Sequence, residues 1–157
     1  MSVLPGRISP HFSEREFTRT SHKQYQDTPT HEHRLNAVVL AASVLEPLRA
    51  RVGPLRINSW WRGERLNDQV GGSPTSHHLM GCAADIVPIA MDRALVWRTL
   101  VGMVDSGLGL TEAMVYESKP HIHLSYVWWR PIEAPELMVK LSSDRTVLWS
   151  DYDGSLI

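Results

Sequence analysis

A chain of 157 residues with 43% hydrophobic content can bury one core without disulfides or partner chains, so a single domain over residues 1–157 is expected. With 16 basic and 17 acidic residues the formal charge is -1, which excludes the positive field that recruits nucleic acid or an anionic membrane surface. Cys82 is the only cysteine, which excludes an internal disulfide and leaves the redox compartment open.

Met1 to Pro10 lacks a basic n-region and an apolar h-region, and no later stretch approaches the roughly 20 apolar residues of a membrane helix. Cytoplasmic synthesis without a signal peptide is therefore expected, with no membrane segment. Ser13 and Glu16 form a capping box, and Phe12 and Phe17 take the positions of a hydrophobic staple, so a short helix starts at Ser13. Thr20 to Thr30 reads as a loop. From Glu32 to Arg51, Leu35, Val38, Val39, Ala42, Leu45 and Leu48 recur at helical spacing, Pro47 should kink or break the helix, and Gly53-Pro54 ends it.

Leu55 to Ser59 reads as a strand, Glu64 to Val70 as a short helix, and Gly71-Gly72-Ser73-Pro74 as a turn. A strand over Cys82 to Val87 follows, then a helix capped by Asp92 that runs to Val104 with Leu95, Val96, Leu100 and Val104 on one side. Ala113 to Glu117 and His121 to Val127 read as antiparallel strands joined by Ser118-Lys119-Pro120. Trp128 to Glu136 reads as a loop, and Leu137 to Leu141 with Thr146 to Trp149 as a further hairpin. The sum is an α+β domain with helices packed against a small, mainly antiparallel sheet.

Two segments carry chemistry. His78 and Asp85 stand seven residues apart across Gly81, which permits a sharp turn into the strand. Strand period two then puts Ala83, Asp85 and Val87 on one face, with the small Ala83 leaving room for a metal. Downstream, His121 and His123 share a face while Ile122 and Leu124 enter the core. If Ser118 to Pro120 is the loop, Glu117 lies opposite His121 on that face. Zinc in hydrolases takes three protein ligands from His and Asp or Glu and leaves one open position. His78, Asp85 and His123 supply that set for one zinc ion. Glu117 is left as the general base that moves a proton from the attacking water to the leaving amine, with His121 at the oxyanion.

Ser76, His78, Gly81, Ala83 and Asp85 meet the pattern Ser-x-His-x-x-Gly-x-Ala-x-Asp. That pattern resembles the zinc peptidase family of D-Ala-D-Ala carboxypeptidases, vancomycin-resistance dipeptidases and phage L-alanyl-D-glutamate endolysins, peptidase family M15. The run from Glu117 through Ser118, Lys119, Pro120, His121 and Ile122 to His123 is similar to the zinc site of hedgehog signalling domains, which share this fold. His11-Phe12, Glu16-Phe17 and Asn58-Ser59-Trp60-Trp61-Arg62, with Asn67, Val70 and Gly71-Gly72, resemble the phage-type branch. The likeness covers residues 11 to 126.

The resemblance implies a peptidoglycan hydrolase that cuts a stem peptide. Arg62 would reach the reacting carbonyl or the substrate carboxylate, and Ser76 the substrate terminus. It also implies a phage or prophage origin, with delivery to the periplasm or cell wall by a lysis pore, a virion or another route, and a monomer is expected. Trp60-Trp61 replaces the usual Gly-Tyr, and Pro120 stands where many relatives carry an acid, which favours Glu117 as the base. His11, His22, His31 and His33 are read as ordinary histidines and Cys82 as a small packed hydrophobe, while His77 either lines the groove or has no role. Trp60, Trp61, Trp128 and Trp129 either line a groove or serve as structural residues. A second class of function is a zinc-stabilised binding or virion structural module that does no chemistry.

Overall fold

The computed structural model describes residues 5–131, 135–140, 143 and 145–151. The first four residues of the Met1 to Pro10 reading, residues 132–134 of the expected loop and Leu141 of the expected strand lie outside the described residues. Helix α1 (Glu14–Phe17) begins as its sequence dictates: Ser13 Oγ accepts from Glu16 N at 3.2 Å, and Glu16 Oε2 accepts from Ser13 N at 2.8 Å. Phe12 and Phe17 are buried and meet Trp60 edge-on, with ring centroids 6.0 and 5.6 Å away, closing one end of the core.

The long helix expected over residues 32–51 is three pieces: α2 (His31–Leu40), a π-helical turn over Ala41–Leu45, and α3 (Glu46–Val52). The irregularity lies upstream of Pro47 rather than at it. Proline offers no N–H to the preceding turn and crowds it, and a widened turn, in which Glu46 N–H reaches back to Ala41 O, accommodates both effects. The buried face also differs from the expected one. Ala37, Leu40, Ala41 and Val44 face the core with Leu45 and Leu48, whereas Leu35 is 46% exposed. Ala37 and Ala41 let the helix approach closely, and buried Asn36 is drawn inward because its Nδ2 donates to Met80 O at 2.9 Å.

Among the described residues six strands form one sheet in the order β1-β2-β4-β3-β5-β6: β1 (Leu55–Ser59), β2 (Ala83–Pro88), β3 (Glu112–Tyr116), β4 (Ile122–Ser125), β5 (Glu136–Lys140) and β6 (Thr146–Leu148). Every pairing is antiparallel except β3 with β5, which is parallel. With α4 (Glu64–Gln69) and α5 (Arg93–Asp105) this is the expected α+β architecture. Asp92 caps α5 through Ala94 N, and Val96, Trp97, Leu100 and Met103 are buried, although Leu95 faces outward. Among the described residues no helix is long and apolar enough to cross a membrane.

The two faces of the central strands have opposite characters. Ala84, Ile86, Ala113, Val115, Ile122 and Leu124 enter the core. Asp85, Glu112, Met114, Tyr116 and His123 turn to the other side, where a cavity opens.

Candidate metal centre

Ser76 begins a 3₁₀ turn over His77–Met80, its Oγ accepting from His78 N at 3.4 Å, and Gly81 at φ 77° turns the chain into β2. A methyl built at Gly81 would stand 2.5 Å from the His33 carbonyl oxygen, so this turn packs directly on the start of α2. Gly81→Ala is expected to cost about 1–3 kcal/mol in left-handed strain and displaced backbone. At this chain length that lowers Tm by roughly 2–12 °C in a thermal melt.

Asp85 and His123 are directly opposed in the β2–β4 register, which points both side chains to the same side of the sheet. His78 arrives over them from the turn. His78 Nε2 lies 3.3 Å from Asp85 Oδ1 and 3.2 Å from His123 Nδ1, and the latter is 2.9 Å from Asp85 Oδ1. A tetrahedral ion with bonds of about 2.0–2.1 Å spaces its ligands about 3.3 Å apart, close to this triangle. The proton positions fit as well. Trp60 O can only accept, so His78 Nδ1, 2.5 Å away, carries the ring proton and leaves the Nε2 lone pair facing the other two groups. His123 Nε2, 3.1 Å from Glu112 Oε1, donates in the same way and frees Nδ1. These three residues could hold a metal ion.

Two carboxylates, Asp85 and Glu112, flank the His123 ring at this point. Burial pushes His78 below the usual imidazole range. Burial also opposes charge on His123, yet the hydrogen bonds to Asp85 and Glu112 raise it to about 9. Asp85, buried too, is held well below the ordinary carboxylate range by His78 and His123. Hydrogen bonds from His123 and then His77 hold Glu112 down. Metal-free, the centre therefore keeps a proton on His123 between two carboxylates, where a metal ion would supply the positive charge instead.

The cavity above the centre has a volume of about 670 Å³. Arg62, Ser76 and His121, singled out from the sequence, all line it with His78, Asp85 and His123. Arg62 Nη2 stands 3.9 Å from Asp85 Oδ2, and its buried Nε has no hydrogen-bond partner among the described residues. Burial lowers the guanidinium's pKa, an effect that Asp85 opposes. His121 packs against the Tyr116 ring at 4.8 Å, and burial pushes the Tyr116 hydroxyl up to about 12.

Glu117 is placed differently from the expectation. The register pairs Met114 with His123 and Val115 with Ile122, so β3 ends at Tyr116 and Glu117 belongs to the connection rather than standing opposite His121. A one-residue change of register exchanges the faces of a strand. Glu112 and Tyr116 consequently line the cavity, and Glu117 is not among its lining residues. His77 lines the cavity, one of its two expected readings, and so does His22, which the sequence reads as an ordinary histidine. Period two from Tyr116 back through Met114 to Glu112 was the available signal, but it needed the correct hairpin register. The four tryptophans do not line the cavity: Trp60 and Trp61 are core residues, and Trp128 and Trp129 are each 45% exposed. Cys82 is buried as expected, and burial raises its thiol to about 12.

No curated protein matches this chain. The family described as Peptidase M15 matches residues 10–125, a span that runs from the residue before His11 to Ser125 at the end of β4 and includes all three ligand candidates. On that match, over well more than half of its length, the chain belongs to the Peptidase M15 family.

Proposed function

We propose that this protein is a zinc peptidase that hydrolyses a bond in the stem peptide of bacterial peptidoglycan, of the D-Ala-D-Ala carboxypeptidase or L-Ala-D-Glu endopeptidase type. The observation that carries the reading is the convergence of His78 Nε2, Asp85 Oδ1 and His123 Nδ1, each histidine with its other ring nitrogen on an acceptor, at a cavity lined by Arg62. Zinc held there supplies Lewis-acid polarisation of a peptide carbonyl and lowers the pKa of water to about 7.

The chain's own residues do the rest. Arg62, whose Nε has no hydrogen-bond partner among the described residues, takes the carbonyl or the carboxylate of the substrate, and Ser76 takes its terminus. His121 faces the developing oxyanion. Glu117, in the connection that follows Tyr116 beside the cavity, takes a proton from the attacking water and returns it to the leaving amine, the role its place in the hedgehog-like run from Glu117 to His123 supports. The upstream likeness around His11-Phe12 and Asn58 to Arg62 supports a phage or prophage origin, with action in the periplasm or cell wall as a monomer.

Zinc-loaded protein incubated with defined muropeptides should release stem-peptide fragments whose masses name the bond. A chelator should stop the reaction and added zinc restore it. Protein that holds zinc yet is inert on D-Ala-D-Ala peptides and on intact sacculi would instead be a zinc-stabilised binding or structural module.

A further inference from the structure

Glu112 stands outside the three-ligand set yet touches both parts of the chain that build it. Its Oε1 is 3.1 Å from Nε2 of His123 on β4 and 3.4 Å from Nδ1 of His77, the neighbour of His78 in the 3₁₀ turn. His77 Nδ1 is in turn 2.9 Å from Oγ of Ser125, a fully buried side chain. The sheet explains the reach. Glu112 pairs with Ser125 across β3 and β4, and His123, two residues before Ser125, projects from the same face.

An imidazole that ligates through one nitrogen must carry its proton on the other, and that N–H needs an acceptor to fix the ring. His78 has Trp60 O for this purpose, and among the described residues Glu112 fills the same place for His123. The carboxylate lies at the ring nitrogen away from the ligand triangle, so it acts on the centre through the ring.

We propose that Glu112 is a positioning residue of the metal centre: it locks His123 in the Nδ1-ligating tautomer and, through His77, ties strand β4 to the turn that carries His78. This inference rests on the metal reading above. It also assigns a purpose to His77 and Ser125, which take no part in the hydrolytic scheme.

The test uses zinc alone, titrated into the metal-free protein against a competing chelator, with Glu112→Gln and Glu112→Leu beside the parent. Glutamine keeps an acceptor oxygen and leucine does not, at similar volume. Glu112→Leu should raise the zinc Kd by about 10–100-fold, the usual cost of an outer-shell partner, and Glu112→Gln should recover most of that loss. Metal-free Tm separates positioning from simple destabilisation: an equal affinity loss in both variants, tracking a lowered Tm, overturns the proposal. Parent-like affinity in Glu112→Leu overturns it as well.

Should the leucine variant not fold, imidazole ¹⁵N spectra of the zinc-loaded parent decide, with His123 expected to show a ligated Nδ1 and a protonated Nε2. Ligation through Nε2 sinks the assignment. Failure of the parent itself to bind zinc removes the metal reading, whereas parent and Glu112→Leu binding equally well removes only the role of Glu112.

Discussion

Asp85→Asn is expected to abolish turnover and to weaken zinc binding by more than the roughly 10–100-fold that loss of an outer hydrogen-bond partner costs. The substitution keeps the side chain's volume and removes the one negative charge in the ligand triangle, where Oδ1 lies 2.9 Å from His123 Nδ1 and 3.3 Å from His78 Nε2. An ion that polarises a carbonyl contributes several kcal/mol to the transition state, so kcat/KM should fall on the order of 10³-fold or more at limiting zinc. Zinc content by atomic absorption and muropeptide turnover on the same preparation check this together. Full zinc occupancy with unchanged turnover would place the metal elsewhere. Loss of zinc and of thermal stability, in a protein whose parent never digests cell wall, would point to the structural module.

Local signals in this chain were legible where a few neighbouring residues decide the outcome. Ser13 and Glu16 specify α1 by themselves, Asp92 starts α5, and Gly81 at φ 77° delivers the turn between His78 and Asp85. The convergence of Asp85 and His123 is legible for the same reason: strand period two fixes which way the two side chains point once β2 and β4 are recognised.

What the sequence did not disclose depends on distances along the chain that no local rule fixes. The parallel pairing of β5 with β3 requires a crossover whose destination is set by the whole sheet, and a hairpin pattern in β5 and β6 is silent about it. The buried face of α2 was misjudged because small Ala37 and Ala41 read as weak apolar signals, although they permit the closest packing, while the larger Leu35 is left outside. Glu112 was missed for a single residue of register: a three-residue loop was expected, but the connection between the last β3 residue and the first β4 residue runs from 117 to 121.

That register also sharpens the last prediction, which concerns the two glutamates. Glu117→Gln should lower kcat by about 10²–10⁴-fold, the usual worth of a positioned general base, while leaving zinc affinity at the parent value. Glu117 follows Tyr116 directly and its backbone N–H donates to Lys140 O at 3.0 Å, so β5 anchors it beside a cavity lined by Tyr116, Lys119 and His121. Glu112, by contrast, has its Oε1 on the His123 ring, and Glu112→Gln should shift zinc affinity slightly with a correspondingly small effect on kcat at saturating zinc. The two variants therefore separate proton transfer from metal positioning when both are measured for kcat and for zinc Kd. The reverse pattern, with Glu117→Gln active and Glu112→Gln inactive but fully zinc-loaded, would transfer the base to Glu112, whose Oε2 is not the oxygen that holds the His123 ring.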